Sequence, residues 1–289
     1  MAGRGAVLAL TTALMVASMR VMAEPLPVLE QAAEERIEPA IVEAVGQIAR
    51  HAGQQRLIVL GELHGTREIP ALTGLLLRHY AAQGPVMLAL EMPQSEQPAL
   101  DRYLASDGGK AAWQALASTP FWQVNDDQHD GRRSVQMRQL VEEMRVLCNQ
   151  GAVVQVLAYD VTKAAADAHD HHWRDAQMAA NLRKSVDGYP GTTVVLTGNV
   201  HAMRARPDWA PPELQLAPMT SQLLDLQPFA VNLTAGRGEF WGCMEERCQA
   251  LPARTVMTEP LLRLREPDRV YDLVLQLPQL SLATLVETP

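Results

Sequence analysis

Cysteine is scarce in this chain, with three in 289 residues, and none of them lies at the end of an aliphatic run, where a fold would present a nucleophile. There is also no G-x-S-x-G elbow. The two absences argue against acyl transfer through a serine or cysteine nucleophile. Positive charge is short as well: 25 Lys and Arg stand against 33 Asp and Glu, for a formal charge of −8, so nucleic acid and anionic lipid are poor partners. No internal repeat or low-complexity tract is present, and 47% hydrophobic content excludes disorder on a large scale. Long apolar runs are missing except for AVLALTTALMVAS, from Ala6 to Ser18, which follows Arg4 and is interrupted by Arg20. That run is too short to span a bilayer comfortably and reads as the apolar part of an export signal, with Val21, Met22 and Ala23 forming the cut before Glu24. The expectation is cleavage after Ala23, no lipid attachment because no cysteine sits at the cut, no membrane span in the mature chain, and a periplasmic or secreted product. Residues 24–289 are expected to form a single domain, with its core over about 35–280.

What the chain does have is an alternation of helix and strand patterns. Ile41, Val42, Val45, Ile48 and Ala49 mark a helix face that Pro39 can start and Gly53 can end. Strand Leu57–Leu60 follows, then a helix opened by Pro70 with Leu72, Leu75 and Leu76 on one side, and strand Val86–Leu90 after Gly84 and Pro85. Ser134 can cap a helix bearing Leu140, Val141, Met144 and Leu147, which leads through Gly151 to strand Val153–Ala158. A helix from about Arg174 to Val186 precedes the strand TTVVLTG. Continuous apolar strands separated by helices predict an α/β fold, a mainly parallel sheet with helices on both faces. FAVNLT and RVYDLVLQL read as C-terminal strands, while ARPDWAPPELQLAP and the segment around CMEERC read as long connections forming a surface flap over one edge. Cys243 and Cys248 are close enough to bridge a small loop, which suits an oxidising compartment, and Cys148 is left over on a helix and expected to be buried.

Each of the four central strands ends in a polar motif: Gly61, Glu62 and His64 after LIVL; Glu91 after VMLAL; Asp160 after VVQVLAY; Gly198, Asn199 and His201 after TVVLT. In an open parallel sheet, ligands bind beyond the carboxyl ends of the strands. Four acid or imidazole endings there predict one shared site, with Gly61 and Gly198 letting the backbone turn sharply. Glu62, His64, Glu91 and His201 are the candidate catalytic set, and Asp160, Arg174, Asp175 and Asn199 the supporting one. Partial burial can pull a Glu or His toward a neutral pKa, which suits general acid and base work with His64 as base and Glu62 orienting it. The same Glu62, His64, Glu91 and His201 could instead hold a divalent cation, Zn, Mn or Co.

The motifs GELHG, LEMP, RDAQMAAN from Arg174 to Asn181 and GNVHA, in that order, resemble those of the haem-binding uptake, Tiki superfamily, ChaN-type domain, which is related to the erythromycin esterases and the Tiki metalloproteases. The resemblance covers nearly the whole mature chain. It implies an α/β core of that type, a clustered Glu62, His64, Glu91 and His201 with Arg174 and Asp175 nearby, and either ester, amide or metal-dependent hydrolysis of a small molecule or peptide substrate, or haem or metal binding for uptake without turnover. In the haem binders of this family a tyrosine ligates the iron, and Tyr80, Tyr103, Tyr159, Tyr189 and Tyr271 are the tyrosines available. Aromatic residues make up 4% of the chain, so few flat side chains exist to sandwich a porphyrin.

Three further features read more plainly. His169, His171 and His172 in AHDHHWRD are expected on a solvated loop just before a helix, with Asp170 near its start. Asp126, Asp127, His129 and Asp130 in NDDQHDGRRS are expected on an exposed loop. Arg174, Gln177, Met178 and Asn181 share one helical face, from which Arg174 can anchor Glu62 or Glu91 or meet an anionic substrate group.

Overall fold

Pro39 opens α1 (Pro39–Ala52), whose buried stripe is Ile41, Ala44, Ile48 and Ala52. Spacings of three and four place these on the sheet side, and Val42, expected among them, is 56% exposed. Gly53, at a φ of 57°, stops the helix and donates its N–H to Ala49 O. The computed structural model describes residues 39–123, 129–211, 216–244, 247–253 and 270–286. The expected signal peptide 1–23, the start of the mature chain, and Asp126 and Asp127 lie outside these residues.

The strands are β1 (Leu57–Glu62), β2 (Val86–Pro93), β3 (Val154–Asp160), β4 (Thr192–Gly198), β5 (Phe229–Ala235), β6 (Glu239–Met244), β7 (Arg247–Pro252) and β8 (Leu273–Leu277). Six of them form one sheet in the order β3-β2-β4-β1-β5-β8, every pair parallel. Successive side chains of a strand point to opposite faces, and here each face has its own core. Ile58, Leu60, Leu88 and Val194 pack on one side with Leu72, Leu76, Leu100, Leu116 and Leu140. Leu57, Val59, Ala89 and Val195 pack on the other with Met178, Leu182 and Met219. Each fully buried leucine contributes roughly 2 kcal/mol, which is why these strands are continuous apolar runs.

The first face is covered by α1, α2 (Glu68–Ala81), α3 (Gln97–Leu104), α4 (Lys110–Ala117) and α5 (Val135–Asn149). Ser134 caps α5 by accepting from Met137 N at 3.2 Å. After the short α6 (Lys163–Asp167), α7 (His171–Val186) covers the second face. This helix starts three residues before the expected Arg174, because Asp170 Oδ1 accepts from Trp173 N at 2.7 Å. His171 and His172 are therefore helical, and His169 stacks on Trp173 at 4.1 Å.

The free edge of the sheet is closed in an unusual way. Gln97 donates to Val156 O at 2.8 Å and accepts from Ala158 N at 2.7 Å, so one side chain occupies the β3 edge as a neighbouring strand would. Two expectations are corrected. The CMEERC segment, read as a connection, is a two-stranded antiparallel ribbon, β6 with β7, in which Cys243 faces Cys248 and is disulfide-bonded to it. Cys148, expected to be buried, is exposed, because it falls in the last turn of α5 beside an open cavity of about 420 Å³ also lined by Leu104, Val154 and Val156. No described helix is long and apolar enough to cross a membrane.

Candidate active site

The strand ends converge as parallel pairing requires. Glu62 closes β1 beside Gly198 at the end of β4, and β2 lies on the other side of β4. An isolated carboxylate buried here would cost several kcal/mol, and Glu91, with its side chain 2% exposed, is compensated on both oxygens. Oε1 accepts from Arg174 at 2.7 Å and pairs with Arg132 at 2.9 Å, while Oε2 accepts from Thr197 Oγ1 and from Gly198 N, each at 2.7 Å. Burial pushes the Glu91 carboxyl up, but the charges around it, Arg132 first and Arg174 among them, outweigh it and hold the group well below the usual carboxylate range.

Two carboxylate–imidazole pairs flank Glu91. In the first, Glu62 Oε1 is 2.9 Å from His64 Nδ1, leaving His64 Nε2 directed at the cleft, 4.0 Å from Glu91 Oε1 and 3.9 Å from Asp130 Oδ2. In the second, Asp175 Oδ1 is 2.8 Å from His201 Nδ1 and also accepts from Met219 N at 2.6 Å, and His201 Nε2 is 3.9 Å from Glu91 Oε1. Both imidazoles thus approach the same carboxylate oxygen, and the four candidate residues share one end of the sheet, within the ~10 Å that strand spacing implies.

The two rings differ in protonation. His201 Nε2 lies 3.1 Å from Arg174 Nη1; a guanidinium can only donate, so this nitrogen accepts and the ring is neutral, its proton on Nδ1 toward Asp175. For His64, burial opposes charge, yet Asp130, Glu62 and Glu91 together override it and raise the pKa to about 9. Burial pushes Glu62 up as well, against the pull of His64. Both shifts retain a proton in the Glu62–His64 pair at neutral pH. His64 was expected to be moved into the working range of a base; the surrounding carboxylates carry it past that range.

The supporting residues are also placed. Asp160, at the end of β3, receives Arg174 through Nε at 3.1 Å and Nη2 at 2.7 Å. Arg174 reaches from α7, whose same face sends Asn181 to Tyr159 O at 3.1 Å. Asn199 enters through its backbone, its N–H donating to Glu62 O at 3.0 Å. Gly198 is needed less for a turn than for room, since a Cβ there would stand 3.0 Å from His64 Nε2.

Two members of the site were not foreseen. Arg132 pairs with Glu91, donates to its backbone oxygen at 2.6 Å, and meets Asp130 at 2.9 Å; burial works against its charge, but Asp130 and Glu91 hold its pKa well above the usual value. Asp130, expected on an exposed loop, is part-buried, and Arg132 and His64 hold it ionised. The only signal in the sequence was an acid two residues before an arginine, with Gly131 between them. His129 is also buried, whereas His169 and His172 are exposed.

A divalent cation does not fit this donor set. Both oxygens of Glu91 are taken, one of them by two guanidinium groups, and among the described residues no three His, Cys, Asp or Glu side chains are arranged to hold a metal ion. Haem fits no better. Tyr103, Tyr159 and Tyr271 are buried and donate to Glu142, Leu196 O and Asn199 O, and the hydroxyls of Tyr80 and Tyr189 are buried, so no tyrosine stands open to an iron.

No family model matches the chain, and no curated protein matches it by sequence. Solved structures do match. A succinoglycan biosynthesis protein has a TM-score of 0.65 at 13% identity, over 92% of this chain and 96% of that one. A mutant of erythromycin esterase EreC in its open conformation has a TM-score of 0.62 at 11% identity, over 85% and 96%, and a Bacillus cereus protein has 0.60 at 11%, over 85% and 94%. At these identities the likeness is one of fold.

Proposed function

We propose that the chain hydrolyses an ester or amide in the strand-end cleft, using its two carboxylate–imidazole pairs without a covalent intermediate. The observation that carries this reading is the placing of two carboxylate-bound imidazoles on either side of one carboxylate oxygen, His64 among acids that favour its charged form and His201 with Nε2 against the Arg174 guanidinium. A charged imidazole facing one whose ring nitrogen accepts a hydrogen bond suits acid and base roles in one reaction. His64, charged at neutral pH, has the acid's part, and His201, oriented by Asp175, has the base's. A substrate carbonyl that draws the Arg174 N–H away from His201 frees Nε2 to take a proton from water. The hydroxide then adds to the carbonyl carbon, and the oxyanion is held by Arg174. Collapse breaks the bond to the leaving group, which takes the Nε2 proton of His64 and departs as alcohol or amine. Proton exchange with solvent resets both rings.

The neighbour named as an erythromycin esterase supports hydrolysis through its shared fold. Export is part of the proposal too, supported by the apolar run Ala6–Ser18 and by the Cys243–Cys248 disulfide, which persists in an oxidising compartment. The test is turnover of a panel of uncharged ester and amide substrates by purified protein, with EDTA present throughout. Hydrolysis lost in His64→Ala and in His201→Ala supports the reading; full activity in either variant defeats the assignment.

A further inference from the structure

A two-stranded ribbon is marginally stable by itself, yet β6–β7 is closed by a disulfide between directly opposed residues. What it touches gives that staple a purpose. Trp241 of β6 donates its backbone N–H to His64 O at 3.0 Å, and its indole Nε1–H donates to Ala283 O at 3.2 Å. Ala283 N in turn donates to Gly65 O at 2.9 Å. The chain on both sides of the His64–Gly65 peptide is thereby tied to one tryptophan.

The indole also sits against two glycines. Gly65 and Gly131 have φ values of 65° and 82°. A Cβ at Gly65 would lie 2.6 Å from Trp241 Cβ and 2.8 Å from Gly131 Cα; one at Gly131 would lie 2.5 Å from Gly65 Cα and 2.7 Å from Trp241 Cδ1. The three residues therefore meet with no space to spare. Gly65 follows His64, and Gly131 separates Asp130 from Arg132. One indole thus fixes the relative position of two turns that carry three charged groups of the site.

We propose that Trp241 is a positioning residue, and the disulfide-closed ribbon a positioning element, for the His64 turn and the Asp130–Arg132 turn. The inference rests on the hydrolase reading only for its effect on turnover. The groups facing His64 are Glu62 on its own strand, Glu91 from β2 and Asp130 from the second turn, and Asp130 alone among these depends on the Trp241 contact.

The experiment compares Trp241→Ala and Trp241→Phe in the full chain by two readouts: the NMR titration of the His64 ring, and kcat and KM on whichever ester the wild type hydrolyses. In the alanine variant the two turns are free to separate, and the His64 midpoint is expected to fall by about one unit as Asp130 withdraws, with kcat down about tenfold and KM little changed. The phenylalanine variant keeps the wedge and is expected to keep the wild-type midpoint. An unchanged His64 midpoint in a folded Trp241→Ala protein, or equal loss in both variants, overturns the proposal. If the wild type hydrolyses no ester or amide, the hydrolase reading fails, and the titration still decides whether Trp241 positions the turns.

Discussion

Two clusters of buried charge can be compared in this molecule. Between α3, α4 and α5, Glu142 accepts from Arg145 Nη2 at 2.6 Å, from Arg145 Nε at 2.7 Å and from Tyr103 at 2.8 Å, and Arg138 lies over the Trp113 ring at 4.2 Å. One carboxylate meets one guanidinium fork and a phenol, a second guanidinium lies on the Trp113 ring, and no carboxylate is in excess. At the strand ends Glu62, Glu91, Asp130, Asp160 and Asp175 are gathered around two guanidiniums, Arg132 and Arg174, and a proton on the Glu62–His64 pair offsets part of the excess. A carboxylate already filled by guanidinium and phenol donors needs no proton from solvent. A surplus of carboxylates makes its protons exchangeable, which helps chemistry and leaves the cluster's share of folding stability dependent on pH. The helix cluster should therefore govern stability and the strand-end cluster activity.

The largest expected effect is on the strand-end side. His64→Ala or Glu62→Gln should lower kcat/KM by about 100-fold or more, at any pH in the working range, whereas the Tm cost of His64→Ala should be confined to pH below about 9, where the charged ring contributes to stability. Steady-state kinetics beside thermal unfolding checks this, and a Tm loss with activity tracking the folded fraction would erase the contrast. Glu142→Ala should do the reverse. It leaves Arg145 without its partner at a part-buried site and should cost about 2 kcal/mol in a denaturant titration, with kcat/KM of the folded protein unchanged.

A third effect depends on pH. If His64 donates the proton, kcat/KM should fall about tenfold per unit once pH exceeds about 9. Stability follows the same group. His64 has its pKa raised by folding, so its contribution is complete below the ordinary value of 6.5 and is lost as pH rises through about 9. The upward shift of Glu62 has the same sign. Tyr103, raised by burial and by its bond to Glu142, adds its own loss of stability only as pH approaches the ordinary tyrosine value of 10, above the range in which His64 titrates. Unfolding measured between pH 6 and 10 separates the two clusters. The smallest effect is the control: Arg183→Ala, which removes a surface pair with Asp225, should leave both Tm and turnover unchanged.

The fold and half of the site were legible in the sequence for one reason: both follow from local runs. An apolar strand with a polar ending announces its own position, and four such endings in parallel strands must meet, so Glu62, Glu91, Asp160 and His201 could be read along the chain. Asp130 and Arg132 could not. Their turn is brought to His64 by the contact of Gly131 with Gly65 and Trp241, residues more than sixty and a hundred positions away, and no periodicity encodes that. Cys148 shows the complementary failure. It is four residues on from buried Met144, but the pattern cannot tell that the helix ends beside a cavity. The protonation of His64 was missed because it depends on Asp130, the residue the pattern left in solvent.

The strand order also has a consequence for how the chain is assembled. β1 hydrogen-bonds only to β4 and β5, with Leu57 opposite Thr193 and Ile58 opposite Phe229. The first of the site's motifs to leave the ribosome is thus among the last to find neighbours, whereas β2 and β3 can pair once residue 160 has emerged. Until residue 198 is made, the aliphatic run Leu57–Leu60 has no strand to pair with, and contacts this distant in sequence form slowly. During synthesis LIVL is an aliphatic segment without a strand partner, and the stretch that ends in Glu62 and His64 is the one most open to misassembly.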